Sequence, residues 1–150
     1  FDTFDGFSEN LTDNEKKLGW KKGDYRTPKK YEKQLEKILL LEEKLCPLSH
    51  IKKFELVKGD ASTTVEKYIR NNPQTVIGMA IFDMDIYKPT KDVLQSIIKR
   101  LYKGSILVFD ELNDKNFPGE TIALLEVLGL NNLKLHSFHG ETFGCWTILE

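Results

Sequence analysis

Two apolar runs that each end in acids contain the residues of this chain best suited to chemistry. Ala80, Ile81 and Phe82 lead into Asp83-Met84-Asp85, and Ser105 to Phe109 leads into Asp110-Glu111. A carboxylate is costly to take out of water, so acids collected at neighbouring strand ends call for a cation, a proton or a hydroxyl to hold. Asp83, Asp110 and Glu111 form a set of hard oxygen donors suited to Mg²⁺, with the remaining positions left to water or substrate oxygens. A hydroxyl beside such an ion loses its proton more readily, and a neighbouring carboxylate can then act as general base while the cation stabilises the alkoxide. The plain alternative is that these acids only end strands and pair with lysines such as Lys88, Lys91 and Lys103.

The acids need elements to bring them together. Strands buried on both faces read as continuous apolar runs, belong to parallel sheets of α/β domains, and have their ligands just beyond their carboxyl ends. The spacing predicts a helix from Thr27 as N-cap and Pro28 as first helical residue, carrying Leu35, Ile38, Leu39 and Leu45 until Pro47. A strand at Lys53 to Val57, a turn at Gly59-Asp60 and a helix from about Ser62 follow, ended by Asn71-Asn72-Pro73. Next come a strand from Thr75 to Phe82, a helix from about Thr90 with Gly104 as its C-cap, and a strand from Ser105 to Phe109. That βαβ order makes the two acid-bearing strands parallel. A helix from about Gly119 to Leu128 and two short strands, Leu133 to Phe138 and Thr142 to Leu149, complete the chain; their short connection requires an antiparallel hairpin. Residues 8–26 show no clear periodicity and read as a long surface loop.

Other positions carry two readings each. Asp60, followed by Ala61 between a strand and a helix, can accept an adenine amine, or it can simply cap the helix. Asp2 and Asp5 can accept ribose hydroxyls, or form a turn beside Gly6. His139 and His136 flank the hairpin turn and His50 follows a loop proline, all ordinary places for a surface imidazole. Trp20, Trp146, Phe138 and Phe143 read as packing rather than as a stacking platform.

Composition narrows the partners. In 150 residues, 22 basic side chains face 23 acidic ones for a net charge of -1, so no global field recruits nucleic acid or an anionic membrane. The longest apolar stretches are too short to span a bilayer, and Cys46 and Cys145 show no metal-binding spacing, which suits reduced thiols. A single soluble domain, cytoplasmic and handling a small molecule, is the expectation, with homo-oligomer formation open. Phe1 to Phe7 reads like the end of a strand entering a loop, as in a fragment.

Taken together, these residues resemble the class I S-adenosylmethionine-dependent methyltransferases, and among them the macrocin O-methyltransferase family, which acts on sugar hydroxyls. In that family a phrase like Phe1-Asp2-Thr3-Phe4-Asp5-Gly6-Phe7 closes the second strand, one like Asp83-Met84-Asp85-Ile86-Tyr87 the fourth, and a paired acid like Asp110-Glu111 the fifth. The resemblance implies an α/β, Rossmann-like methyltransferase fold: a mostly parallel sheet with helices on both faces and a C-terminal antiparallel hairpin, truncated at the N-terminus before the first strand and its glycine-rich loop. It implies S-adenosylmethionine and Mg²⁺ as cofactors and a small-molecule hydroxyl, a sugar among the candidates, as acceptor. Carried over, Asp83, Asp110 and Glu111 bind the metal, with Asp83 also the base; Asp2 meets the ribose, Asp60 and Ala61 the adenine, and Asp85 joins the cofactor-binding set. Glu111 departs from the Asp or Asn usual at its position. Two rivals use the same residues differently. Asp83-Met84-Asp85 also looks like the Asp-x-Asp of nucleotide-sugar glycosyltransferases and, more weakly, of haloacid dehalogenase-like phosphatases; alternatively, a truncated domain could serve only as a non-catalytic dimerising or scaffolding module.

Overall fold

A computed structural model describes residues 1–140 and 142–150. Its centre is a four-stranded sheet in the order β1-β2-β4-β3, built from β1 (Ile77–Phe82), β2 (Leu101–Phe109), β3 (His136–Ser137) and β4 (Cys145–Ile148). The pairing of β1 with β2 is parallel and runs from Ile77 opposite Leu101 to Phe82 opposite Phe109, so the two strands finish side by side. Strand β4 lies antiparallel to β2 on one side and to β3 on the other. The hairpin expected at the C-terminus is therefore present with shorter strands, and Glu141 of its turn lies outside the described residues.

The helices are α1 (Asp13–Lys17), α2 (Tyr31–Leu45), α3 (Ala61–Asn71), α4 (Tyr87–Ile97) and α5 (Gly119–Val127). Helix α4 carries the crossover from β1 to β2, and its apolar stripe of Val93, Leu94 and Ile97 is buried. With Val65 of α3 and Leu124 of α5 it covers the sheet face that presents Phe82, Leu107 and Phe109. The Phe82 and Phe109 rings stack at 4.8 Å with 12° between their planes, locking the parallel pair one residue before the acids begin. The other face of β1 shows Met79 and Ile81 at 54% and 66% exposure, with no helix over them among the described residues.

Several local expectations give way. No strand forms at Lys53 to Val57; a strand needs a neighbour, and here only an isolated parallel bridge joins Asp2 to Lys58, closed by Asp2 N to Val57 O at 3.1 Å and Gly59 N to Asp2 O at 2.9 Å. Thr27 does not cap α2, because its hydroxyl donates to the Phe4 carbonyl, and the helix starts after Lys30 in a left-handed conformation. Gly104 is not a helix cap: a short 3₁₀ turn over Ile98–Arg100 ends that helix, and Gly104 lies inside β2 at φ +97°, where the register against β1 shifts. Within the stretch read as a loop, Thr12 and Glu15 form a capping box that starts α1.

Candidate active site

The parallel pairing of β1 and β2 delivers both sets of acids to one place. Asp83 follows the last residue of β1 and Asp110 the last of β2, and Asp83, Asp85 and Asp110 each bring a carboxylate oxygen within 4.8 Å of the others. Asp85 reaches the group through a left-handed backbone at φ +60°, a conformation that costs a side-chain-bearing residue energy and persists only where surroundings enforce it. Burial first, and then the charge on Asp83, push Asp85 up to about 6. Asp110 rises to about 7, chiefly through burial and then through Asp83 and Asp85.

The lysines do not neutralise this group. Lys88 pairs with Asp92 one turn along α4, Lys91 holds Glu126 and the Tyr87 hydroxyl, and Lys103 lies near the start of β2, at the opposite end from Asp110. Asp110 Oδ1 and Glu111 Oε2 are buried without a hydrogen-bond partner. Orphaned acceptors beside a cluster of repelling carboxylates fit a hard divalent cation, so the donor set suits Mg²⁺. Glu111, expected as the third ligand, lies outside the group of three. Its pKa is pushed up to about 7 by burial first, then by the charges on Asp110, Asp114 and Asp85. Asp85, expected on the cofactor side, falls within the group of three and also lines the cleft described next.

The remaining site expectations converge on one cleft of about 230 Å³ whose walls include Asp2, Gly59, Asp60, Ala61, Asp83 and Asp85. Asp60 takes the cap reading: its carboxylate accepts from Ser62 N at 2.9 Å, and Asn10 Nδ2 donates to its second oxygen at 3.0 Å. Burial raises its pKa, but those bonds and one from Ser8 outweigh it and leave Asp60 below the usual carboxylate range. Asp2 accepts from Phe4 N across its own turn. His139 lines a separate hollow with Asp110 and Glu111, whereas His136 stacks on Trp146 at 4.3 Å.

Three residues at the site escaped the sequence reading. Tyr25, also at φ +60°, lines the cleft within an aromatic group of Phe7, Trp20 and Phe117, in which Trp20 stacks on Phe117 at 4.6 Å. Glu15, only 2% exposed, accepts from Tyr87 N at 2.6 Å just after the first acids, and the capping-box spacing Thr12-x-x-Glu15 was its available signal. Glu120 is fully buried and pushed up to about 8, mainly by burial. Nothing in its local sequence marks it.

No protein-family model and no curated protein matches the chain. Solved structures do. The crystal structure of CalS11, a calicheamicin methyltransferase, superposes with a TM-score of 0.91 at 38% identity over 99% of this chain and 58% of its own. The apo structure of CalS11, described as a TDP-rhamnose 3'-O-methyltransferase, matches at 0.77 and 40% identity over 83% of this chain and 54% of its own. The O-methyltransferase NovP shares the fold, with a TM-score of 0.67 at 14% identity over 98% of this chain and 57% of its own. The chain thus spans a little over half the length of each of these proteins. With acids assembled at parallel strand ends, the chain has a methyltransferase fold and is similar along nearly all its residues to the O-methyltransferase CalS11.

Proposed function

We propose that this chain forms the metal-bearing part of an enzyme that transfers a methyl group from S-adenosylmethionine to a hydroxyl of a small molecule, a sugar hydroxyl being the favoured acceptor. The observation that carries the reading is the convergence of Asp83, Asp85 and Asp110 at the ends of paired parallel strands, beside a cleft that also contains Asp2, Asp60 and Ala61. The sugar acceptor rests on the similarity to CalS11, whose described activity is on TDP-rhamnose.

Mg²⁺, when bound, would lower the pKa of an acceptor hydroxyl and stabilise the alkoxide. Asp83 and Asp110 are the proposed core of its ligand set. Asp85 supplies the third oxygen in the arrangement seen, and Glu111, whose Oε2 is buried and unpartnered, stands next in line. Asp83, exposed to the cleft, takes the hydroxyl proton. Asp2 is positioned for ribose hydroxyls, and the Asp60-Ala61 turn for the adenine. Holding hydroxyl and sulfonium methyl in line would supply most of the acceleration, since direct displacement depends chiefly on orientation and charge placement.

The test is made in the full-length protein. Asp83→Ala should abolish methyl transfer with a melting temperature close to wild type, and S-adenosylhomocysteine should raise that temperature where UDP does not. Ordinary turnover by the Asp83 variant would end the metal-and-base assignment, and a shift with UDP alone would favour the glycosyltransferase rival.

A further inference from the structure

Buried beneath the acid cluster, Glu120 reaches two backbone donors that belong to different strand ends. Its Oε1 accepts from Met84 N at 3.2 Å, the peptide between Asp83 and Asp85; its Oε2 accepts from Glu111 N at a longer 3.4 Å, the peptide directly after Asp110. The first partner lies 36 residues away in sequence and the second 9. An acid in the first turn of a helix ordinarily points to solvent and complements the helix dipole. This one has no exposure and spends both oxygens on the loops that carry the acids.

The residue before it reinforces the contact. A Cβ on Gly119 would fall 2.3 Å from Tyr87 N and 2.6 Å from the Asp85 carbonyl oxygen, so the start of α5 lies directly against the backbone of Asp85 to Tyr87. The strained φ of Asp85 occurs at this point of contact. Between β1 and β2 the ladder ends at Phe82 and Phe109, and among the described residues one backbone bond, Asp110 N to Phe82 O at 3.3 Å, continues it, while Leu112 N donates to the Phe143 carbonyl at 3.1 Å on the side away from β1. The acid-bearing loops therefore lie beyond the ladder and need another tie.

We propose that Glu120 is a positioning residue that ties the loop after β1 to the loop after β2 and so sets the spacing of Asp83, Asp85 and Asp110. The claim rests on the reading of that cluster as a metal site. Outer-shell partners of this kind typically change metal affinity by about 10–100-fold when removed.

Two variants of the full-length protein test it. Glu120→Met keeps the length and removes both acceptors; Glu120→Gln keeps one acceptor and covers the case in which the Met variant does not fold. Amide hydrogen exchange should speed up at Met84 and Glu111 by tenfold or more in the Met variant and by less in the Gln variant, with Ala80 and Leu107 unchanged. Mn²⁺ affinity, read by calorimetry with the ion alone, should fall in the same order by about 10–100-fold. Wild-type exchange at both amides would overturn the tie, and faster exchange with unaltered Mn²⁺ affinity would overturn its positioning role. A wild-type protein that takes up no Mn²⁺ would instead remove the metal reading, and the exchange rates would still decide whether Glu120 joins the two loops.

Discussion

Asp60 shows how one side chain can satisfy two readings at once. It caps α3 through Ser62 N while its carboxylate forms part of the cleft wall. Substitution separates the two. Asn is as good an N-cap as Asp, whereas Ala loses about 1 kcal/mol at such a position. Asp60→Asn should therefore melt with wild type, and Asp60→Ala should melt lower by an amount matching that cap. If Asp60 also accepts the adenine amine, both variants should bind S-adenosylhomocysteine more weakly in the full-length protein, because the Asn amide can also turn a donor toward that amine. Calorimetry giving wild-type affinity for both would leave Asp60 a helix cap and nothing more.

Helix α5 illustrates at the element scale why the fold was more legible than the site. Apolar periodicity and punctuation located β1, α4, β2 and α5, and the βαβ order implied the parallel pairing that brings Asp83 near Asp110. Signals that depend on a distant partner were not legible. The stretch at Lys53 to Val57 has strand character but finds only Asp2 to bridge with, and Gly104 looks like a helix stop although it shifts the register of β2. Asp85 joins Asp83 and Asp110 through a left-handed turn that no spacing rule foresees, and Glu120 accepts from Met84 N, 36 residues away in sequence. Gly119 belongs with these: it reads as a helix start, yet what demands glycine there is the neighbouring loop. Gly119→Ala should cost more than the roughly 1–3 kcal/mol usual for overpacking, since the added carbon meets backbone rather than a flexible side chain. Urea unfolding checks this, and a loss under 1 kcal/mol would show that α5 can move away freely. By contrast, Phe82→Ala should cost about 3–5 kcal/mol by emptying the centre of the core, and should leave any residual metal affinity less affected than its stability.

For the molecule as a whole, the acid site opposes folding until something neutralises it. Asp85 at about 6, Asp110 and Glu111 at about 7 and Glu120 at about 8 all lie above their ordinary values of 3.8 for Asp and 4.5 for Glu, each mainly through burial. The folded chain therefore keeps these protons to higher pH than the unfolded chain does. Between about pH 4 and pH 8 it binds more protons than the unfolded state, and stability must fall as pH rises through that window. Carboxylates held low, such as Asp60, act in the opposite sense only at more acidic pH. In a chelator the melting temperature should accordingly decline from pH 5 to pH 8. Mg²⁺ competes with the same protons for the same oxygens, so the rise in melting temperature that it produces should be small at pH 5 and largest at pH 8. At a hundredfold excess over its Kd the ion would add about 2.7 kcal/mol, several degrees for a domain of this size. A melting temperature that climbs with pH in chelator, or a Mg²⁺ increment equal at both ends of the range, would mean that these carboxylates are not the charges that the ion relieves.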